Sequence, residues 1–374
     1  MAKNDNLTDF LTNVADAIRT KKGITRKINP QDFAWEISSI YTGGSDTPTP
    51  DRPIIGDGKT YLYIKIAEKG RMKVPLYFSQ TVANGVIIDW GDGSATQTLS
   101  GTGNVSTSHT YAEVGEYTIS LNPSSVCALG LGHSSSYYCV MGRTANVARV
   151  YFNMLKAVEI GKNVTSIGNY TFNYCYSLAS VVIPQGVTSI GEHAFYYCHS
   201  LASIVIPQGV TSIGSGAFDH CYSLANLVIP ESVTSIGSLA FERCTLSSVV
   251  IPQGVTIIGN GTFQNCNCLS SVVIPKGVTS IGNHAFNWCD SLANVVIPES
   301  VASIGDYAFQ QCYGMAYYDF TQCTSVPTLG TTAFKDIPSD CKIVVPDELY
   351  DSWIAATNWS TYASYIIKAS EFNG

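Results

Sequence analysis

The sequence predicts a multidomain, mainly β protein with short helices, most of whose mass is a repeat solenoid. Three observations predict it. A block recurs about every 23 residues through the middle of the chain, marked by Phe172, Phe195, Phe218, Phe241, Phe263, Phe286 and Phe309. Each of these lies three residues before a cysteine: Cys175, Cys198, Cys221, Cys244, Cys266, Cys289 and Cys312. A period of this length means a stack of coils, each burying its apolar face only against its neighbours. Ahead of the repeats, residues 61–66 alternate apolar and polar and residues 74–78 follow the same habit, which reads as strands. At the N-terminus the apolar period changes to that of a helix.

In chain order, residues 1–42 form the expected helical attachment or oligomerisation segment. Leu7, Phe10, Leu11, Val14 and Ile18 fall on one helical face, Gly23 is placed to end that helix, and Asn29-Pro30 opens a second one carrying Phe33 and Ile37. Two helices of this size bury too little apolar surface alone, so these residues are expected to dock on another copy or on a neighbouring protein. Residues 43–53, rich in Thr, Pro, Gly and Ser, read as a linker. Residues 54–122 read as a small β-domain. Residues 123–149 form a Ser-, Gly- and Tyr-rich connection containing Cys127 and Cys139, the solenoid runs from 150 to 334, and residues 335–374 supply a closing strand and a capping helix.

One repeat explains itself. Leu178, Val181 and Ile183 point inward along a strand that Pro184 ends, because proline has no amide hydrogen for a further ladder bond. Val187 and Ile190 anchor a second extended piece, and Ala194, Phe195 and Cys198 cover the interior from a short helical segment. The steps are 23 residues except between Cys244 and Cys266, where one residue is missing ahead of Val249. Equivalent residues of stacked coils lie about 5 Å apart with parallel side chains, a poor geometry for disulfides. The cysteine ladder is therefore read as buried free thiols, small apolar filler rather than a metal site or a disulfide scaffold.

Two stretches resemble known families. The residues Asp89-Trp90-Gly91-Asp92-Gly93-Ser94, with His109-Thr110-Tyr111 and Gly115 before Tyr117, resemble the signature of PKD domains, which are immunoglobulin-like β-sandwiches. In that family such aspartates and glycines shape a turn. The repeat I-P-x-x-V-x-x-I-G-x-x-A-F-x-x-C resembles the BspA-like leucine-rich repeats of bacterial and phage surface proteins, as do Val344-Val345-Pro346 and the segment from Asn358 to Tyr362 at the C-terminal end. That resemblance implies adhesion or ligand binding. The apolar pattern of residues 7–33 is similar to openings of tail and minor structural proteins of phages of gut bacteria. Together these imply a virion, tail-associated receptor-binding protein, docked through its N-terminal helices on other virion proteins and meeting a host cell-surface protein or glycan. A bacterial cell-surface adhesin and a purely structural virion decoration are the alternatives.

Composition narrows the classes. The net charge of -7 argues against nucleic acid, and only 13% of residues are charged. No run of apolar residues is long enough to cross a bilayer. The first ten residues contain no apolar core of a secretory leader, so the chain is expected to fold in a cytoplasm and reach the exterior by lysis or within a particle. Neither a P-loop, an H-E-x-x-H nor a nucleophile elbow is present, and carboxylates are scattered, so neither an enzyme nor a cofactor is expected. His199 and His220 fall near each other across coils, two imidazoles with no carboxylate assigned to them.

What varies between repeats is the residue on either side of the cysteine. Before it stand Tyr174, Tyr197, His220, Arg243, Asn265, Trp288 and Gln311; after it stand Tyr176, His199, Tyr222, Thr245, Asn267, Asp290 and Tyr313. Stacking turns these into two neighbouring rows. Tyr174, Tyr176, Tyr197, His199, His220, Tyr222 and Trp288 are the candidate ligand contacts, since Tyr and Trp join rigid apolar area to a polar tip. Two readings stay open: a ligand face, or tyrosines that merely pack on one another. A second outward row, Val182, Val205, Val228, Val250, Val273 and Val296, reads as packing or an oligomer contact.

Overall fold

The computed structural model describes residues 57–69, 72–125, 127, 129–132, 138–143 and 153–373. The expected docking residues Leu7, Phe10, Leu11, Val14, Ile18, Phe33 and Ile37, and the linker 43–53, lie outside the described residues.

Alternation builds the first domain. In β1 (Thr60–Ile66), Leu62, Ile64 and Ile66 are buried; in β2 (Lys73–Gln80) Val74, Leu76 and Phe78 are. β3 (Val86–Asp89), β4 (Gly103–Thr110) and β5 (Gly115–Pro123) follow, all paired antiparallel: β1 with β5, β3 with β5, and β2 with β4. Two sheets result, and their apolar faces share a core with Trp90 and Tyr111.

The turn after β3 is built by its aspartates. Asp89 and Asp92 accept backbone hydrogen bonds from Gly91 (2.9 Å) and Ser94 (3.0 Å), two residues on in each case. Asp92 also meets His109 Nε2 at 2.6 Å, His109 stacks on Trp90, and the Tyr111 hydroxyl donates to the Trp90 carbonyl at 2.8 Å. Burial works against ionisation of Asp92, but the hydrogen bonds from Ser94 and His109 outweigh it and hold the carboxyl down at about 2. Gly91 is obligatory: its φ is +74°, and a Cβ there would sit 2.3 Å from the Thr118 carbonyl oxygen.

The segment 123–149, expected as a mere connection, is partly structural. β6 (Leu129–Leu131) adds antiparallel to β2, and Tyr138–Cys139 (β7) pairs with Gly142–Arg143 (β8). The Thr171 hydroxyl of the solenoid donates to the Leu131 carbonyl at 3.0 Å. The free edge of β1 pairs antiparallel with β9 (Leu155–Glu159), and β9 pairs parallel with Ser180–Val182 in the next coil. One sheet therefore runs from the β-domain into the solenoid, and the β-domain covers the solenoid's first coil.

Each coil then has three sides. One is a three-residue strand such as Ser203–Val205, and the second is a two-residue strand such as Ser212–Ile213. The third is a run of turns where a short helical segment was expected. A helix cannot form there because two residues per coil, four apart, have positive φ: His193 (51°) and Tyr197 (61°), for example. Alternate amides of this side donate to the next coil instead, as His193 to Ser215, Phe195 to Ala217 and Tyr197 to Asp219. Inside, Phe rings from Phe172 to Phe334 stack with centroids between 5.1 Å (Phe195–Phe218) and 5.6 Å (Phe218–Phe241) apart.

The missing residue after Cys244 leaves a mark. The two-residue strands form one ladder from Ser166–Ile167 to Ser235–Ile236 and a second from Ile257–Ile258 to Thr328–Leu329, interrupted where the short repeat falls. The turn side carries through it, with Phe241 donating to Thr262 and Arg243 to Gln264.

At the C-terminal end Lys342–Val345 adds parallel to Tyr317–Asp319, Ile366–Lys368 adds to its other edge, and the helix Tyr350–Ala355 lies between them in sequence. Trp353 and Trp359 are buried against Phe320, and Trp359 Nε1 donates to the Pro327 carbonyl at 2.7 Å. Their aromatic bulk covers the last phenylalanines of the stack, which would otherwise face water.

Candidate functional site

The seven cysteines put their neighbours in register, so the residues before and after them form two rows on the turn side. In the first three coils these rows touch ring to ring. Tyr174 stacks on Tyr197 (5.1 Å between centroids) and Tyr197 on His220 (4.2 Å); in the other row Tyr176 meets His199 (4.7 Å) and His199 meets Tyr222 (4.9 Å). Tyr174, Tyr176, Tyr197 and His199, with Asn153, line an open depression of about 520 Å³. Tyr222 is 42% exposed, whereas Tyr174 and Tyr176 are half-buried and pack on the core, so the patch is both self-packed and accessible.

Trp288 is not part of this patch. Arg243, Thr245, Asn265 and Asn267 occupy the two intervening coils, and Trp288 instead meets Tyr313 edge to face at 6.2 Å. The edge thus carries two aromatic groups rather than one continuous row.

Reading only the immediate neighbours of the cysteine misses the residue two before it. Tyr196 in that row contacts Tyr174, Tyr197, His193 and His220. Asp219 and Glu242 follow it in the next coils. Asp219 is nearly fully buried and hydrogen-bonds His220 Nδ1, so His220 does have a carboxylate, contrary to the expectation of two unsupported imidazoles. Glu242 faces Arg243 Nε at 3.4 Å; burial first, and then the charge of Asp219, push its carboxyl up. Burial, and then His220, hold the His199 imidazole below its usual value, and its Nε2 is buried with no hydrogen-bond partner. A polar residue recurring two before each cysteine was the available signal.

The backbone under the first row is strained. Tyr174, Tyr197, His220, Arg243, Asn265, Trp288 and Gln311 all have φ between 58° and 61°, a region bulky side chains rarely occupy. Asn is the natural occupant, as at Asn265, and the tyrosines and tryptophan stand there at a conformational cost.

The valine row faces outward as expected, and of its two readings exposure disfavours only packing within the chain. Val205, Val228, Val250, Val273 and Val296 are 40–66% exposed, so they do not pack inside this chain. Among the described residues no group of His, Cys, Asp and Glu is arranged to hold a metal ion, and no helix is long and apolar enough to cross a membrane.

The profile of a family described as BspA type leucine rich repeat region matches residues 150–270 and 256–353, in six copies. No curated protein matches the chain. Among solved structures it is similar to a leucine rich repeat protein of T. pallidum, with 35% identity over 36% of this chain and 64% of that one and a TM-score of 0.34. It is also similar to a leucine-rich repeat protein of Eubacterium ventriosum, with 31% identity over 43% of this chain and 42% of that one and a TM-score of 0.38. The chain thus spans less than two thirds of either. A third is a leucine rich cell surface protein of Faecalibacterium prausnitzii, with 26% identity, 59% and 80% coverage and a TM-score of 0.34.

Proposed function

The chain belongs to the BspA-type leucine-rich repeat family, and from that premise we infer that it is an adhesion-type binding protein, without catalytic activity, displayed at an exterior surface. The ligand sits on the turn-side edge, at Tyr174, Tyr176, Tyr197, His199, His220 and Tyr222. One observation carries this reading: an unbroken ring-to-ring network across three coils borders an open depression. A purely structural edge needs no bulky aromatics at positive φ, since Asn or Gly serves the backbone better.

The finer placement is a virion. It rests on the likeness of residues 7–33 to openings of phage tail proteins, with Leu7, Phe10, Leu11, Val14, Ile18, Phe33 and Ile37 as the dock on other virion proteins or on a second copy. The turn motif from Asp89 to Ser94, with its bonds to His109, supports reading the β-domain as PKD-like. A bacterial cell surface is the other placement, compatible with the same repeats. Gold-labelled antibody to the repeats distinguishes them: label on released particles supports the virion, and label on intact cell walls alone overturns it.

The binding edge is tested by a double variant of the full chain, Tyr174→Asn and Tyr197→Asn, which leaves the buried Asp219–His220 pair intact. Asn already serves at position 265 with φ 59°, so the backbone is kept. Adhesion to bacterial envelopes and to mucin-coated plates should weaken by more than about tenfold with a small change in Tm. Unchanged adhesion by the folded variant removes the assignment.

A further inference from the structure

The second aromatic group has features that the first does not explain. Trp288 is 39% exposed and Tyr313 51% exposed, on neighbouring coils. Asp290 lies between Asn267 and Tyr313 along the row after the cysteines. Its Oδ1 is buried and accepts no hydrogen bond, and burial raises its carboxyl above the usual range. This desolvated carboxylate oxygen, two residues from the exposed Trp288, is an acceptor with no donor among the described residues. Asp290 as a residue is only half-buried, so a donor from outside can reach its carboxylate. Trp288 is also held at φ 60°, where Asn265 one coil away shows the unstrained choice. Its conformation is braced, since its amide donates to the Gln310 carbonyl at 3.0 Å.

Between the two aromatic groups the edge is hydroxyl and amide: Thr245, Gln264, Asn265 and Asn267. Among the described residues the cation of this stretch is Arg243, and it is paired with Glu242. Tyr197 and Trp288 are four coils apart, roughly 20 Å at about 5 Å per coil. Aromatic plates at the two ends, with hydrogen-bonding groups between and no uncompensated positive charge, fit one class of ligand. A neutral glycan has C–H faces that lie on aromatic rings and hydroxyls that donate to Asp290 and pair with the amides. An acidic polysaccharide would find no unpaired cation on this stretch and would meet the Asp290 carboxyl.

We propose that the edge is a two-subsite binding surface for a linear neutral glycan, the Tyr–His patch holding one segment and Trp288, Asp290 and Tyr313 a second. This rests on the adhesion reading above and adds the ligand class and the second subsite. Two linked subsites make the second contact intramolecular, so affinity climbs steeply once a chain is long enough to reach both.

The test uses the full chain and an array of linear neutral oligosaccharides of gluco, galacto and manno type, from disaccharide to decasaccharide. The expected result is a step of about a hundredfold in affinity at the length that bridges the subsites. Trp288→Asn and Asp290→Asn should each abolish the step. Equal affinity for short and long chains, or a step that survives both substitutions, overturns the second subsite and leaves the first standing. If no neutral oligosaccharide binds while adhesion still depends on Tyr174 and Tyr197, the glycan assignment is wrong and the edge takes a different ligand. If adhesion ignores those tyrosines too, the assignment of the binding edge falls with it, and if the full chain shows no adhesion at all, the adhesion reading itself falls.

Discussion

A cysteine in this solenoid is a small apolar filler with one weak donor, and the structure shows where that donor goes. Cys198 Sγ lies 3.2 Å from the Phe172 carbonyl, Cys221 3.2 Å from that of Phe195, and Cys312 3.3 Å from that of Phe286. Each thiol thus ties its coil to the preceding one. Burial pushes the Cys312 thiol up to about 12 and those of Cys244 and Cys289 well above their ordinary value, so none is a nucleophile at neutral pH. Cys268, two residues after Cys266, is exposed instead. With a thiol reagent at neutral pH, Cys268 is expected to be labelled rapidly, and the ladder only on unfolding. Mass spectrometry of the labelled peptides checks this, and rapid labelling of Cys221 or Cys289 would contradict the packing. The free, buried state of the ladder was legible from spacing alone. The carbonyl partner was not, because it belongs to another coil.

At the level of one coil, the backbone of the turn side decides which residues fit. Two positions per coil have positive φ, from Tyr170 and Tyr174 through to Thr332 and Asp336, and glycine fills the first of them only at Gly216 and Gly261. Those glycines are also hemmed in: a Cβ at Gly261 would lie 2.4 Å from Leu239 Cδ2, and one at Gly216 would lie 2.4 Å from the His193 ring. At these two coils the bulk of the preceding residue leaves room only for glycine, whereas flat rings at the same position stack, as Tyr170 on His193 (5.3 Å) and His284 on Tyr307 (4.8 Å). Gly261→Ala is expected to lower stability by about 1–2 kcal/mol through the left-handed backbone and the contact. Adding Leu239→Ala should recover part of it, since the contact is removed and the φ remains. Urea unfolding of both variants measures the coupling, and strict additivity would show that the contact plays no part. The expectation of a helical segment here came from the compact spacing of Ala194, Phe195 and Cys198. It failed because no local pattern announces positive φ at residues as bulky as Tyr197 or Trp288.

Over the whole molecule, stability passes from neighbour to neighbour along the stack. The short repeat after Cys244, where the ladder of two-residue strands is interrupted, is expected to be the weakest link. There the Phe stack and the turn-side amides provide the continuity, with Phe241 5.6 Å from Phe218 and 5.5 Å from Phe263. Phe241→Ala should cost about 3–5 kcal/mol and divide a single unfolding transition into two, one for each side of the gap. Calorimetry of the full chain reads this directly, and a single transition at lower Tm would mean that the two halves remain coupled. The N-terminal half should be the more stable, because β1 and β9 bind it to the β-domain. By itself, the sequence determined the solenoid, its core residues and the presence of an aromatic edge, because in a repeat each unit's environment is another copy of itself and periodicity is therefore contact information. The tertiary structure alone decided that β1 pairs with the first coil, that Asp219 reaches His220, and that the turn side carries two left-handed residues per coil in place of a helix. Those depend on pairings between unlike segments and on backbone angles within a coil, and neither leaves a period in the chain.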